Sequence, residues 1–300
     1  MTKTFLSWLL GLSALAVLVW YFGIKNYEHK ITFTTKQPPG VVFYHVLNWQ
    51  PQNGADVVNI ETQRPFSELV QNVWANGSGY TFRWAFQQKK ESKTLVSVYI
   101  SDKKNGFVQK LKTPFLNTAF EKRNIAAVKQ LGEALVLGGK KFNVHSITDT
   151  LVAPQYCACL SLGSTIANKA ATMLRNIETV MGYIKKNGVV LQGHPFVEVI
   201  HWDIETQRIR FNFCFPIKKT GPLPENPAIQ FKTTQPFKAL KAEFNGNYSI
   251  SDQAWYYLLD HAERHGTTLK KQPVEYFLND PHSGGDPLQW KALVFLPLRE

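Results

Sequence analysis

Cysteine is scarce. Cys157, Cys159 and Cys214 are the only three in 300 residues, with no CxxC pair and no partnering histidine cluster, which argues against a disulfide framework and against a zinc site. No GxSxG elbow, HExxH, phosphate-cradling glycine loop or Ser-His-Asp order is present, so the reaction classes those motifs carry have no support. His145, His194, His201, His261, His265 and His282 lack ligand spacing as a group. His261 and His265 are four apart on a helix but have no third ligand near them, so neither a metal nor another cofactor is expected. No helix-turn-helix or zinc-finger spacing supports direct nucleic-acid binding. Acidic residues are also few, 22 against 34 Lys and Arg, and the imbalance is local. Residues 1–145 hold 18 basic against 8 acidic side chains, and residues 146–300 hold 16 against 14. A basic region behind a hydrophobic segment fits an anionic lipid surface, at ~1 kcal/mol per well-placed Lys or Arg; a generally solvated basic surface is the alternative.

What is present is a folding composition, 44% hydrophobic and 13% aromatic, in a chain long enough for a membrane segment and two domains. The divisions expected are 1–25, 30–144 and 146–300. From Phe5 to Ile24 the sequence FLSWLLGLSALAVLVWYFGI carries no charge over ~20 residues, the length that spans a hydrocarbon layer. Trp8 at one end and Trp20 with Tyr21 at the other suit the interfacial belts. A cleaved signal peptide is the rival reading, opposed by bulky Trp20, Tyr21 and Phe22 where a small-residue cleavage site would stand. Charge flanking barely sets the orientation; a single span with the amino terminus inside and the folded part extracytoplasmic is the expectation. In that setting a bridge to Cys214 stays open. Otherwise the cysteines read as structural, Cys157 and Cys159 sharing one face of a strand.

Residues 31–144 open with a strand (ITFT). A helix begins at Pro38-Pro39, with Val42, His45, Val46 and Trp49 at helical spacing. After a loop come two alternating strands, YTFRWAF and TLVSVYISD, joined by the turn QKKES. A long helix runs from about Asn117 to Leu137 on a stripe of Phe120, Ile125, Val128, Leu131, Ala134 and Leu135, ending at Gly138 and Gly139. This order, with the segment PPGVVFYHVLNW, resembles a START-like (polyketide cyclase-like, SRPBCC) helix-grip domain. The resemblance implies an apolar cavity under the helix; a spacer without a ligand is the alternative.

The second half is a duplication. APQYCACLSLG, TIANKAATMLRNIETVMGYIKKNG, HPFVEVIHWD and RIRFNFCFPI form one copy. QPFKALKAEFNG, SISDQAWYYLLDHAERHG, QPVEYFLNDP and WKALVFLPL form the other. The same 78-residue interval separates Gly188 from Gly266 and Pro195 from Pro273. Strand-helix-strand-strand twice over predicts an α+β domain with helices on one face of an antiparallel sheet and a cleft on the other. Ile166, Ala170, Met173, Leu174, Ile177, Met181 and Ile184 form the helix stripe expected to pack on that sheet.

The pattern resembles the GyrI-like, AraC-type effector-binding domain, most closely over FNGNYSISDQAWYYLLDHAERHG, PVEYFLNDP and LVFLPL. The resemblance implies a cleft carboxylate, which falls on Glu275, recognising cationic or polar aromatic ligands. Alternation puts Glu275 and Phe277 on one sheet face, facing the cleft, and Tyr276 and Leu278 on the other, against the helices. A carboxylate on an apolar strand needs a partner, either a cationic ligand or a structural Lys or Arg. Trp202, Phe213, Trp255 and Tyr257 are the expected ring walls, each cation–π contact contributing ~0.5–2 kcal/mol; core packing is the alternative for each. The family's DNA-binding output is missing, leaving three functions: capture of a small molecule at the membrane, hydrolysis of a strained electrophile with Glu275 as general base, or engagement of a protein partner.

Overall fold

The computed structural model describes residues 2–49, 55–75, 77–90, 93–281 and 284–299, so Glu91 and Ser92 of the QKKES turn, and His282, lie outside the described residues. Two compact units divide the chain, residues 1–135 and 136–300, and the fold is α+β.

The first unit begins with α1 (Thr2–Val19), continued by a π-helical turn at Trp20–Ile24. Phe5–Ile24 is an apolar helix of 20 residues with mean hydropathy 2.0, long enough to cross a bilayer, a description a signal sequence also meets. There follow β1 (His29–Thr35), α2 (Pro39–Leu47), β2 (Ala55–Arg64), β3 (Glu68–Ala75), β4 (Ser78–Gln88), β5 (Thr94–Asp102), α3 (Gly106–Lys112) and α4 (Ala119–Gly139). The strands make an antiparallel sheet in the order β1-β5-β4-β3-β2. Pro39 starts α2 where a missing N–H costs nothing. The helix packs on β3 and β4, with Val42, Phe43, Val46, Leu69 and Trp84 buried. Gln71, also buried, is satisfied there: its amide donates to the Val46 carbonyl, and its oxygen accepts from the Trp84 indole. At the start of α4 Thr118 and Glu121 cap each other reciprocally.

Three expectations differ here. The stretch read as a loop after α2 contains the hairpin β2–β3, whose polar Asn59, Glu61 and Gln63 mask the alternation of an edge strand. Helix α3 was not foreseen. On α4 the buried face is Phe120, Asn124, Val128, Leu131 and Leu135, and Ile125 is exposed; the i, i+4, i+7 spacing runs through Asn124, one residue earlier.

The second unit contains β6 (Phe142–Val152), β7 (Tyr156–Thr165), α5 (Lys169–Lys186), β8 (Phe196–Asp203), β9 (Arg208–Pro216) and β10 (Gln230–Thr233). It continues with β11 (Phe237–Gly246), α6 (Gln253–Arg264), β12 (Val274–Phe277) and β13 (Lys291–Pro297). Eight antiparallel strands run β10-β7-β9-β8-β12-β13-β11-β6. The copies are therefore β7-α5-β8-β9 and β11-α6-β12-β13, meeting at β8–β12, with β10 and β6 as added edges. Gly188 and Gly266 stop the helices at φ +61° and +68°, the left-handed conformation a glycine adopts without a Cβ clash. At the junction Val274 pairs with Glu198, Glu275 with Val197, and Tyr276 with Phe196. With a 78-residue offset, Glu275 and Val197 are equivalent positions, so the pseudo-twofold axis passes through that pair.

The sheet's two faces are opposite to expectation. Tyr276 sits in a buried cluster with Cys157, Cys159, Phe196, Cys214, Val274 and Phe295, while Glu275 points to the helix side. Cys159 is bridged to Cys214, its register partner across β7–β9. Cys157 stays free, its thiol pushed up to about 12 by burial.

Candidate functional site

Each copy turns from its first strand into its helix through a short 3-10 segment, Ile166–Asn168 in one and Tyr248–Ile250 in the other. The second turn needs Gly246, because a Cβ there would lie 2.8 Å from Phe142 Cβ and from Phe244 Cζ. These turns deliver Lys169, the first residue of α5, and Ser251 and Trp255, at the head of α6, onto Glu275 at the axis.

Lys169 and Glu275 have no solvent exposure. The Lys169 ammonium lies 2.6 Å from each Glu275 carboxylate oxygen, 3.0 Å from Ser251 Oγ and 4.8 Å from the centre of the Trp255 ring. The Trp255 indole donates to Oε1 at 2.6 Å. Ser251 Oγ is 2.8 Å from Oε2 and 2.9 Å from the Tyr248 carbonyl, and its one proton serves one acceptor at a time. Both carboxylate oxygens are thus filled by the protein's own donors, the condition under which a buried ion pair is tolerated.

Beside this cluster a cleft of about 660 Å³ opens between α5 and the junction strands. One wall is Ala170, Met173, Leu174, Ile177 and Met181 of α5. The floor and far side include Phe213, Phe215, Tyr248, Phe277 and Trp290, and the rim carries His194, Asn247, Asn279 and Asp280. The Tyr248 ring packs at a tilt 4.8 Å from Phe277 and 5.8 Å from Trp290. Its hydroxyl is fixed by donating to the Lys291 carbonyl and accepting from the Asn279 N–H, and burial raises its pKa. Asp280, the one carboxylate on this lining, is exposed, so water screens it.

Residues 167–299 match the model of the GyrI-like small molecule binding domain. This stretch is a GyrI-like domain. No curated protein matches the chain. Among solved structures, the chain is similar to the C-terminal domain of EcmrR, at 15% identity over 53% of this chain and 98% of that one, TM-score 0.46. SAV2435 bound to tetraphenylphosphonium is similar at 9% identity over 52% and 94%, TM-score 0.35. A hydrolase from Listeria innocua is similar at 11% identity over 51% and 92%, TM-score 0.35.

Within the GyrI-like domain, Phe213 alone among the five residues singled out from sequence lines the cleft. Glu275 is closed off behind Lys169. Trp255 holds Glu275 and packs 5.0 Å from Trp202, which also touches Tyr256. Tyr257 lies on another side of α6 against Phe142, and burial pushes its hydroxyl up to about 12. Of the α5 stripe read as core, Ala170, Met173, Leu174, Ile177 and Met181 form the cleft wall, while Ile184 is buried as expected, beside Val180 and Tyr183. Tyr248 and Trp290 were missed, and Phe277, set by alternation on the cleft-facing side of its strand, does line the cleft. Two of the chain's three methionines, Met173 and Met181, line the cleft, and thioethers suit a wall that must adapt to a ligand. Among the described residues no group of three His, Cys, Asp or Glu could hold a metal.

Asp252, next to the ion pair, is raised from 3.8 to about 6, first by burial, with Lys169 lowering it and Glu275 raising it. A raised carboxyl favours folding below its unfolded value and loses that contribution as pH climbs through the folded one. At 1.36 kcal/mol per unit the change is up to about 3 kcal/mol. Asp252→Asn is expected to leave stability at pH 4 nearly unchanged and to raise it above pH 7, measured by urea unfolding at both pH values. A constant difference across that range would refute the assignment.

Proposed function

We propose that the GyrI-like domain captures an uncharged, apolar or aromatic small molecule, in a chain held to a membrane by its N-terminal helix with both units outside the cytoplasm. The carrying observation is that Glu275, the carboxylate expected to meet a cationic ligand, already has its cation in Lys169. A ligand cation entering the cleft would lose hydration and meet a single, exposed carboxylate, Asp280, with ring faces such as Tyr248, Phe277 and Trp290 returning ~0.5–2 kcal/mol per contact. An uncharged aromatic molecule gains Met173, Ile177, Met181, Phe213, Phe277 and Trp290 as apolar neighbours. Glu275 is also poorly placed as a general base, having no exposed surface and no unoccupied oxygen.

Retention of the apolar helix is supported by its last turn, which the folded unit uses: the Tyr21 hydroxyl donates to the Lys110 carbonyl, and Phe22 packs on Phe107. The bridged Cys159–Cys214 pair suits an oxidising compartment. The order strand, helix, four strands, short helix and long helix after α1 in the first unit supports the START-like reading.

The test is a titration of the full chain in lipid nanodiscs, read through tryptophan fluorescence, with 1-pyrenemethanol and 1-pyrenemethylammonium, which share a ring system and differ in charge. The neutral compound is expected to bind about tenfold or more tighter, equivalent to about 1.4 kcal/mol. Both should lose saturable binding in Met173→Trp, which fills the cleft. Tighter binding of the ammonium compound would refute the uncharged-ligand reading. Unchanged binding in Met173→Trp would remove the cleft from the argument, and failure of both probes would favour a protein partner.

A further inference from the structure

We propose that residues 103–116, α3 and the turn after it, form a second membrane contact: an apolar foot that sinks into the headgroup region where the N-terminal helix emerges. The proposal rests on reading that helix as a membrane span, and is independent of what the cleft binds.

The segment KKNGFVQKLKTPFL holds four lysines and no carboxylate. Its apolar side chains do not enter the core of their own unit. Phe107 is 66% exposed and Phe115 85%, with Val108, Leu111 and Leu116 also exposed. Phe107, Val108 and Leu111 share one side of α3 by helical spacing. Phe115 and Leu116 continue from it in a turn whose N–H groups both donate to the Lys112 carbonyl, at 3.0 and 2.9 Å. Left in water, such a patch costs free energy without folding the unit, and apolar patches of this kind mark contact sites.

The end of the spanning helix determines what covers it. The Tyr21 hydroxyl donates to the Lys110 carbonyl at 2.9 Å, and the Phe22 and Phe107 rings are 5.7 Å apart. The Lys110 ammonium donates to the carbonyls of Phe22 and Lys25, groups a helix C-terminus leaves without internal partners. These contacts fix α3 beside Ile24, the last apolar residue of the span, so its exposed rings lie at interface depth. The start of the foot is also held: Asp102 accepts from the N–H groups of Lys104 and Asn105, and Glu28 accepts from the Asp102 N–H. Apolar side chains facing the acyl boundary with lysines toward the headgroups is how an interfacial helix sits, buried ~5–10 Å. With Lys110 engaged at the helix end, Lys103, Lys104 and Lys112 remain in a segment without a carboxylate and select anionic lipid as the surface.

The full chain is reconstituted in vesicles of phosphatidylcholine and phosphatidylglycerol, carrying one nitroxide at a time through Phe115→Cys, Leu12→Cys or Lys89→Cys. The native cysteines are bridged or buried and stay unlabelled. Phe115 and Lys89 are exposed, so neither substitution disturbs the fold. Collision with oxygen, which concentrates in the bilayer, is compared with collision with a water-soluble nickel chelate. The oxygen-to-nickel ratio at position 115 is expected to approach that at 12 and to stand several-fold above that at 89, because a side chain sunk ~5–10 Å into the interface meets oxygen and is shielded from the chelate. An aqueous ratio at 115 with a membrane ratio at 12 overturns the foot and leaves the span intact. Aqueous ratios at both positions overturn the span reading and the foot with it. Spin–spin broadening at 115 that vanishes on dilution with unlabelled protein would show a second copy covering this face, which also overturns the proposal.

Discussion

Replacing Lys169 by methionine is expected to cost the C-terminal unit about 3–5 kcal/mol at neutral pH, the penalty for leaving a buried carboxylate without its counter-charge. Glu275 would keep Ser251 and Trp255 as donors, which cannot replace an ammonium 2.6 Å from both oxygens. The double variant Lys169→Met/Glu275→Gln should recover most of the stability, since the charge and its partner leave together. Urea unfolding of the full chain in detergent, followed by near-ultraviolet circular dichroism, measures all three. A single variant as stable as the parent would mean that Lys169 is not the counter-charge on which the buried Glu275 depends.

Replacing Cys214 by serine is expected to cost about 2–4 kcal/mol. The bridge closes a loop of 55 residues, for which chain-entropy accounting gives about 4 kcal/mol, an amount that native-state strain or residual structure reduces. Both sulfurs are buried, so a reductant should act only after unfolding, and dithiothreitol alone should leave the native protein oxidised. Alkylation of cell-made protein in denaturant should modify Cys157 alone. Three modified thiols per chain would place this sheet in a reducing compartment and remove a main support for an extracytoplasmic location.

The duplicated frame was legible because its punctuation is local: a glycine after each helix, a proline seven residues later, alternation on either side. Edges were harder. β6 is paired on one side only and largely exposed, so Phe142–Val152 shows no apolar rhythm, and it crosses the junction expected near residue 145. The α5 stripe was read correctly as apolar and, from Ala170 to Met181, wrongly as core, since a helix face that packs on a sheet and one that lines a cleft obey the same spacing. For Glu275 the need for a partner followed from burial on an apolar strand, and a structural lysine was one of two answers left open. Choosing it required Lys169, 106 residues away, which no periodicity connects to β12.

The Glu275–Val197 pairing at the pseudo-twofold axis has a consequence for how such a site can exist at all. In a homodimer assembled from a single copy, a residue on the symmetry axis faces its own twin, so a glutamate there would confront a second glutamate and each would raise the other's ionisation cost. Covalent fusion removes that constraint, because the halves may then differ. This chain keeps valine on one side and glutamate on the other, with a lysine supplied from the valine-bearing half. A lone charge pair at the centre of a nearly symmetric sheet is thus available to the tandem protein and barred to its halves, and separate expression of the two copies should not reassemble it from identical subunits.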